Sequence, residues 1–287
     1  MTVEANAKVN FTLEVFGKRA DGYHALRSVV MPISLSDTLD IETTDDGLIT
    51  SDTGYDDDLC VKAARVLKSS VSSLPSSAGA IIRVTKRIPA GGGLGGGSAD
   101  AAAVLRTLDG LWMAGLSREE LAEVGAQVGS DVPALVLDGP VIMEGRGERV
   151  RDLGLKKDLN LVLVNPGVHS STADVYAACA ARPLNGENAT AKMVEALESG
   201  DLERIAAALM NDLQPSAVKL YPEIADELVS LKTAGVIGAT MSGSGSSVFG
   251  LVRTADEAVR ISSELNARGY QSWPVRTWLS RLGSNQD

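Results

Sequence analysis

Between Pro89 and Ala99 the chain reads PAGGGLGGGSA, and six of the seven residues from Gly91 to Gly97 are glycine. Each glycine makes the loop entropically harder to order, so such a run needs a reason beyond folding. What glycine offers is a backbone that a ligand can approach without meeting a Cβ. Residues 80–85 (AIIRVT) read as a strand before the loop and residues 98–111 (SADAAAVLRTLDGL) as a helix after it. A glycine loop running into a helix N-terminus points free N–H groups, and the positive end of the helix dipole, at an anion. The expected ligand is a phosphate chain, that of a nucleotide. The alternative, a flexible linker, fits poorly with apolar, periodic flanks.

The loop is not a common P-loop, because no Gly-Lys-Ser or Gly-Lys-Thr follows any glycine. Gly91, Gly93 and Gly96 satisfy the dinucleotide pattern G-x-G-x-x-G. A run this rich in glycine meets many patterns by chance, and no strand ending in an acidic residue follows at the required distance. A further helical stretch, 117–128, follows instead.

At 287 residues the chain can bury one large or two ordinary cores. Its start, MTVEANAKVN, lacks the basic-then-apolar order of a leader, and no apolar run approaches the ~20 residues of a membrane helix. A cytoplasmic protein is expected. Cys60 and Cys179 then read as buried free thiols in apolar helices. With only two histidines, a histidine-built metal centre is disfavoured. Any metal should be a hard cation held by oxygens and phosphates, such as Mg²⁺; no protein ligand for it is assigned. The net charge of −10 argues against nucleic acid and anionic membranes as partners. An anionic substrate must therefore be drawn by a local basic site. Lys8, Lys18, Arg19, Lys86, Arg87 and Arg146 lie near glycine-rich turns, although each alone reads as a solvated charge.

Along the chain, residues 8–16 alternate as a half-buried strand and 17–22 (GKRADG) form a turn. Strands are expected at 25–35 and 38–43, a helix at 57–69, and a hairpin at 140–153. A first, mixed domain is expected over 1–155 and a second over 156–287. The second opens on a buried strand at 159–165. Helices are predicted at 172–181, 189–199, 202–211, 222–234 and 255–268, with a last strand at 271–277. Two short strands flank the turn 242–247 (SGSGSS). The fold class is α+β: two lobes with a cleft between them, the second of split βαβ, ferredoxin-like type with extra helices.

Several segments carry a resemblance in the same order along nearly the whole chain. PAGGGLGGGSADAAA resembles the second motif of the GHMP kinase superfamily, and MSGSGSSVFG (241–250) its third. AKVNFTLEVFGKRADGYHALRSVV (7–30) resembles the first motif of one branch, whose members act on a cytidyl diphosphate sugar alcohol. VGSDVPALV (128–136), GRGE (145–148), STADVY (171–176) and NDLQPSAVKLYPEI (211–224) resemble that branch as well. Relatives acting on mevalonate, homoserine or galactose do not share GKRADGYH.

The resemblance implies a two-lobed GHMP kinase fold and transfer of the γ-phosphoryl group of ATP to an alcohol, with Mg²⁺. It implies that Asp131 accepts the hydroxyl proton and that Lys8 holds Asp131 ionised and polarises the hydroxyl. From the residues alone, Asp131 in GSDVP reads as a helix N-cap and Lys8 as an exposed charge. Asn10 alternates onto the same face as Lys8. By resemblance His24 reads the cytosine edge, with Tyr23 and Tyr176 stacking on its two faces; packing roles are the alternative for each. Asp21 serves the turn. Pro89, Gly91, Gly92, Gly93, Leu94, Gly95, Gly96, Gly97, Ser98 and Ala99 would wrap the phosphates. Ser98 either donates to phosphate or Mg²⁺ or caps the helix. Ser242 and Gly243 close on the reacting phosphates or the substrate, or form only a tight hairpin. Lys86 meets the nucleotide, or the solvent. The chain departs from the family at Asp58 and Val61, where Asn and Tyr are frequent; Asp58 can still accept from an adenine amino group.

The competing readings are another GHMP small-molecule kinase, a dinucleotide-dependent oxidoreductase resting on G-x-G-x-x-G, and a catalytically silent protein of kinase fold. The presence of both Lys8 and Asp131 speaks against the last. Monomer and homodimer are both compatible with the sequence.

Overall fold

The computed structural model describes residues 1–179 and 188–279. Strands β1 (Thr2–Lys18) and β2 (His24–Thr44) form one long antiparallel ribbon. Then follow β3 (Ile49–Ser51), α1 (Leu59–Ser70), β4 (Gly79–Thr85), α2 (Gly96–Leu111), α3 (Arg118–Ala126) and α4 (Val132–Val136). A hairpin, β5 (Val141–Gly145) and β6 (Arg149–Asp152), closes the first half. The second half runs β7 (Asn160–Asn165), α5 (Thr172–Ala178), α6 (Ala189–Ser199), α7 (Leu202–Ala208), β8 (Met210–Asn211) and α8 (Gln214–Leu220). It ends with α9 (Glu223–Thr233), β9 (Gly238–Met241), β10 (Val248–Val252), α10 (Ala255–Ala267) and β11 (Gln271–Arg276).

The seven-stranded first sheet has the order β3-β4-β2-β1-β8, with β5 and β6 extending from the near end of β2. Its apolar face, with Val9, Phe11, Met31 and Ile41 fully buried, packs under α1 and α2. The second sheet, β11-β7-β10-β9, is antiparallel throughout and has the order expected of a split βαβ unit. The first sheet draws on both halves of the chain: β8 pairs parallel with β1 through Thr12–Met210 and Leu13–Asn211. Among the described residues no helix is long and apolar enough to cross a membrane.

Several sequence expectations change. The strands expected at 25–35 and 38–43 are one strand, because Ser36 and Asp37 are not a break. Asp37 is fully buried and accepts from the backbone N–H groups of Arg87 and Ile88 and from the Lys86 ammonium. The helix expected at 202–211 stops at Ala208. Beyond it, Asn211 donates to the Met241 and Gly243 carbonyls and accepts from Leu213 N–H, so Met210 and Asn211 extend as a strand and α8 starts anew. Helix α2 begins at Gly96, two residues early, with Gly95 at its N-cap in left-handed backbone. Ser98 is therefore inside the first turn and not the cap. Helix α5 ends at Ala178, and residues 180 and 181 of the expected helix lie outside the described residues. Cys60 is buried, whereas Cys179 is only half-buried.

Candidate active site

A cleft of about 1100 Å³ opens between the two halves. Its floor is the glycine loop and the Lys8 end of β1. Its walls are the turn before β2, the start of α4, and the segment from His169 to Ala177.

The second half of the chain holds the glycine loop by its carbonyls. Ser170 N–H donates to Gly91, Ser247 N–H to Gly92 and the Ser242 hydroxyl to Gly93, at 3.4, 3.1 and 2.9 Å. The Gly93 position requires glycine twice over: its φ is +72°, and a Cβ there would collide with the Ser242 carbonyl oxygen. With the carbonyls engaged, the N–H groups from Gly91 to Gly95 have no partner among the described residues. They and the start of α2 form an anion cradle. Lys8 N–H donates to Leu94 O at 2.9 Å and so fixes the loop to β1.

Lys8 is 4% exposed, and its ammonium lies 2.7 Å from Asn10 Oδ1 and 3.5 Å from Asp131 Oδ2. Asp131 stands at the N-cap position of α4 but makes no capping bond; its carboxylate faces Lys8 and the cleft. The second glycine turn closes from above, where a Cβ on Gly243 would be 3.2 Å from Lys8 Nζ.

At the far end, His24 packs against Tyr176 with ring centroids 5.4 Å apart and planes inclined by 31°. Burial pushes the Tyr176 phenol well above its ordinary pKa. Tyr23 stands apart, about half exposed, with the Arg146 guanidinium 5.4 Å over its ring. The three aromatic residues thus line one cavity, but Tyr176 faces His24 directly and no base-wide gap separates them. Asp21 serves the turn, accepting from Tyr23 N–H. Arg19 ties that turn to Glu148 of the β5–β6 hairpin.

Near the other end of the glycine loop, Asp58 caps α1. It accepts from Cys60 N–H and from the Thr53 hydroxyl. Burial opposes its ionisation, but these bonds and the Ser51 hydroxyl hold its carboxyl below the usual range. Val61 packs against the core instead. Lys86, about one-third exposed, reaches the cleft from two buried carboxylates, 2.5 Å from Asp37 and 2.7 Å from Asp100. Burial, with Asp37 alongside, pushes Asp100 up to about 7 against the opposing pull of Lys86. Lys86 in turn is raised, since its two carboxylates outweigh its burial.

One expectation shifts in place. Ser242 is fully buried, spending its hydroxyl on Gly93, and does not line the cleft, whereas Gly243 does. Sequence reasoning missed His169, which lies directly over Gly91 and lines the cleft. Its signal was slight: a histidine four residues past a buried strand, in a chain with only two.

The pattern that defines the GHMP kinases N terminal domain matches residues 58–139, and that of the GHMP kinases C terminal domain matches 193–271. A 4-diphosphocytidyl-2-C-methyl-D-erythritol kinase of Pelotomaculum thermopropionicum is 42% identical over 98% of this chain and 99% of its own length. One from Symbiobacterium thermophilum is 38% identical, covering 96% and 99%. A crystal structure of 4-(cytidine 5'-diphospho)-2C-methyl-D-erythritol kinase superposes with a TM-score of 0.81 at 34% identity, covering 96% of this chain and 99% of that one. Fold, cradle and family patterns together define a GHMP kinase, an ATP-dependent small-molecule kinase. Within that class the chain belongs to the family of 4-diphosphocytidyl-2-C-methyl-D-erythritol kinases.

Proposed function

We propose that this chain transfers the γ-phosphoryl group of ATP to the 2-hydroxyl of 4-diphosphocytidyl-2-C-methyl-D-erythritol, a step of non-mevalonate isoprenoid precursor synthesis in the cytoplasm. One observation carries the reading. A buried lysine and a carboxylate 3.5 Å apart face the unpartnered N–H groups of a glycine cradle across one cleft.

Asp131 accepts the hydroxyl proton as the substrate oxygen bonds to the γ-phosphorus. The bond from that phosphorus to the β,γ-bridging oxygen breaks, and ADP leaves with the electron pair. Lys8 holds Asp131 in place and offers a free N–H to the charge that develops on the transferring group. Gly91 to Gly97 bind the phosphates through the backbone, with Pro89, Ser98 and Ala99 shaping the ends of the cradle. Asp58 and Lys86 border the purine. His24 reads the cytosine edge, Tyr23 and Tyr176 supply the aromatic surface, and Asn10 and Gly243 border the alcohol.

Mg²⁺ fits this donor set as an ion carried by ATP. Among the described residues no group of three or more acidic, histidine or cysteine side chains stands ready to hold a metal. The phosphates, with the Ser98 hydroxyl at the cleft wall, are hard oxygen donors of the right kind. Bound there, the ion neutralises phosphate charge.

The test is ADP release from Mg·ATP with the cytidyl substrate, beside mevalonate, homoserine and galactose. Turnover with the cytidyl substrate alone is expected. Turnover only with another alcohol would keep the cradle and remove the roles given to Tyr23, His24 and Tyr176.

A further inference from the structure

Lys8, Asn10, Thr12 and Glu14 alternate along β1, and all four are buried, none more than 4% exposed. Their partners form a chain of buried hydrogen bonds. Lys8 Nζ donates to Asn10 Oδ1 at 2.7 Å, Asn10 Nδ2 to Ser28 Oγ at 2.8 Å, and Ser28 Oγ to the Thr12 carbonyl at 2.5 Å. Beyond, Thr12 Oγ1 meets Thr190 Oγ1 at 3.1 Å, and Thr190 donates to Glu14 at 2.8 Å.

The direction of the first three bonds decides what Ser28 does. A hydroxyl has one proton, and that of Ser28 goes to the Thr12 carbonyl. Towards Asn10, Ser28 can therefore only accept. The Asn10 amide must turn its NH₂ to Ser28 and its oxygen to Lys8, which has donors only. The amide cannot rotate without leaving an ammonium facing an NH₂ in a buried site. The strand itself makes this possible: the register between β1 and β2 slips between Asn10 and Thr12, so that Asn10 opposes Val30 while Thr12 opposes Val29. Such a bulge interrupts the ladder and re-aims side chains, as bulges beside active sites do.

We infer that Ser28 is a positioning residue for the kinase reaction, acting through Asn10 to fix where the Lys8 ammonium points. The inference rests on the phosphoryl-transfer reading of the cleft. Of the three donors of Lys8, one is held by Asn10 and one is directed to Asp131. Ser28 thereby fixes the line of the third, towards the reacting groups. Ser28 lies outside the residues that line the cleft, and its hydroxyl reaches them through Asn10.

The test is steady-state kinetics of Ser28→Ala, Asn10→Ala and the double variant, with nucleotide affinity measured separately. Ser28→Ala should lower kcat by roughly 10- to 100-fold, the range that small misplacements of a catalytic group produce. Its KM for ATP should stay within about twofold. Ser28→Thr, which keeps the hydroxyl, should restore most of kcat. In the Asn10→Ala background the loss from Ser28→Ala should vanish, because its route is gone. Full additivity in the double variant, or wild-type kcat in Ser28→Ala, would overturn the inference. Should Ser28→Ala fail to fold, Ser28→Cys keeps the size, weakens the acceptor and carries the same expectation. If the wild-type chain does not turn over the cytidyl substrate, the proposed activity fails by itself. The inference is then judged by hydrogen exchange of the Asn10 side-chain amide by NMR: protection lost in Ser28→Ala supports it, and unchanged protection overturns it.

Discussion

The Lys8 ammonium and the Asp131 carboxylate meet 3.5 Å apart, with the lysine side chain 5% exposed and the aspartate 33%. The pair is asymmetric: one charge is locked in the core while the other stands in the cleft. Both groups line the cleft, the aspartate as the more exposed of the two. Asp131→Asn keeps the shape and removes the carboxylate proposed as the base. Turnover should fall by at least 10²- to 10⁴-fold, the usual worth of a general base. ATP affinity by calorimetry should stay within about threefold. Appreciable turnover in the variant would remove Asp131 from the base role.

His24 and Tyr176 already touch in the described conformation, with centroids 5.4 Å apart. A base that is read there must slide beside the pair or open it. His24→Ala and Tyr176→Leu should each raise KM for the cytidyl substrate by about tenfold, in line with the ~0.5–1.5 kcal/mol of an aromatic pair plus lost base contacts. KM for ATP should not move. An equal rise in both constants would place these rings outside the substrate end of the cleft.

Gly93→Ala tests the cradle. The new methyl meets the Ser242 carbonyl oxygen, and the backbone conformation is one that alanine adopts only at ~1–2 kcal/mol. The loop must leave its seat, so ATP affinity should drop by about tenfold or more and thermal stability by several degrees. Unchanged affinity would mean that the phosphates bind elsewhere.

How far could these sites be read from the sequence? The glycine loop was legible because so many consecutive glycines have no other use, and it lies where strand and helix patterns placed it. Lys8 and Asn10 share a face by simple alternation. Asp131 was not legible from local rules, which make it a helix cap; it occupies the cap position, yet its side chain turns to a lysine 123 positions earlier. The unbroken β2 was hidden for a similar reason. Ser36 and Asp37 look like a turn until Lys86 and the N–H groups that follow it are folded against them. What escaped the sequence was set by partners far along the chain.

Glu227 offers a pH test away from the cleft. It is 3% exposed on α9, and its Oε2 has no hydrogen-bond partner. Burial, with Asp226 nearby, pushes its carboxyl up to about 8. The folded chain thus keeps a proton that the unfolded chain releases at about pH 4.5. Stability contributed by this group is full below that pH and is lost as pH rises towards 8. Glu227→Gln cannot ionise, so its melting temperature should gain steadily on the wild type between pH 5 and pH 8. A constant gap across that range would show that Glu227 ionises normally.

The pairing of β8 with β1 reaches beyond the finished enzyme. Met210 follows Thr12 by 198 positions, yet it supplies the strand on that side of β1. At about 5–20 residues per second a ribosome needs roughly 10–40 s to reach it. For that interval a growing chain has the Lys8 strand in hand with one flank uncovered, the condition in which strands find wrong neighbours. Order of synthesis and order of assembly are therefore crossed in this molecule. The Lys8 strand is among the first parts made, and it is completed only when translation is well into the second half.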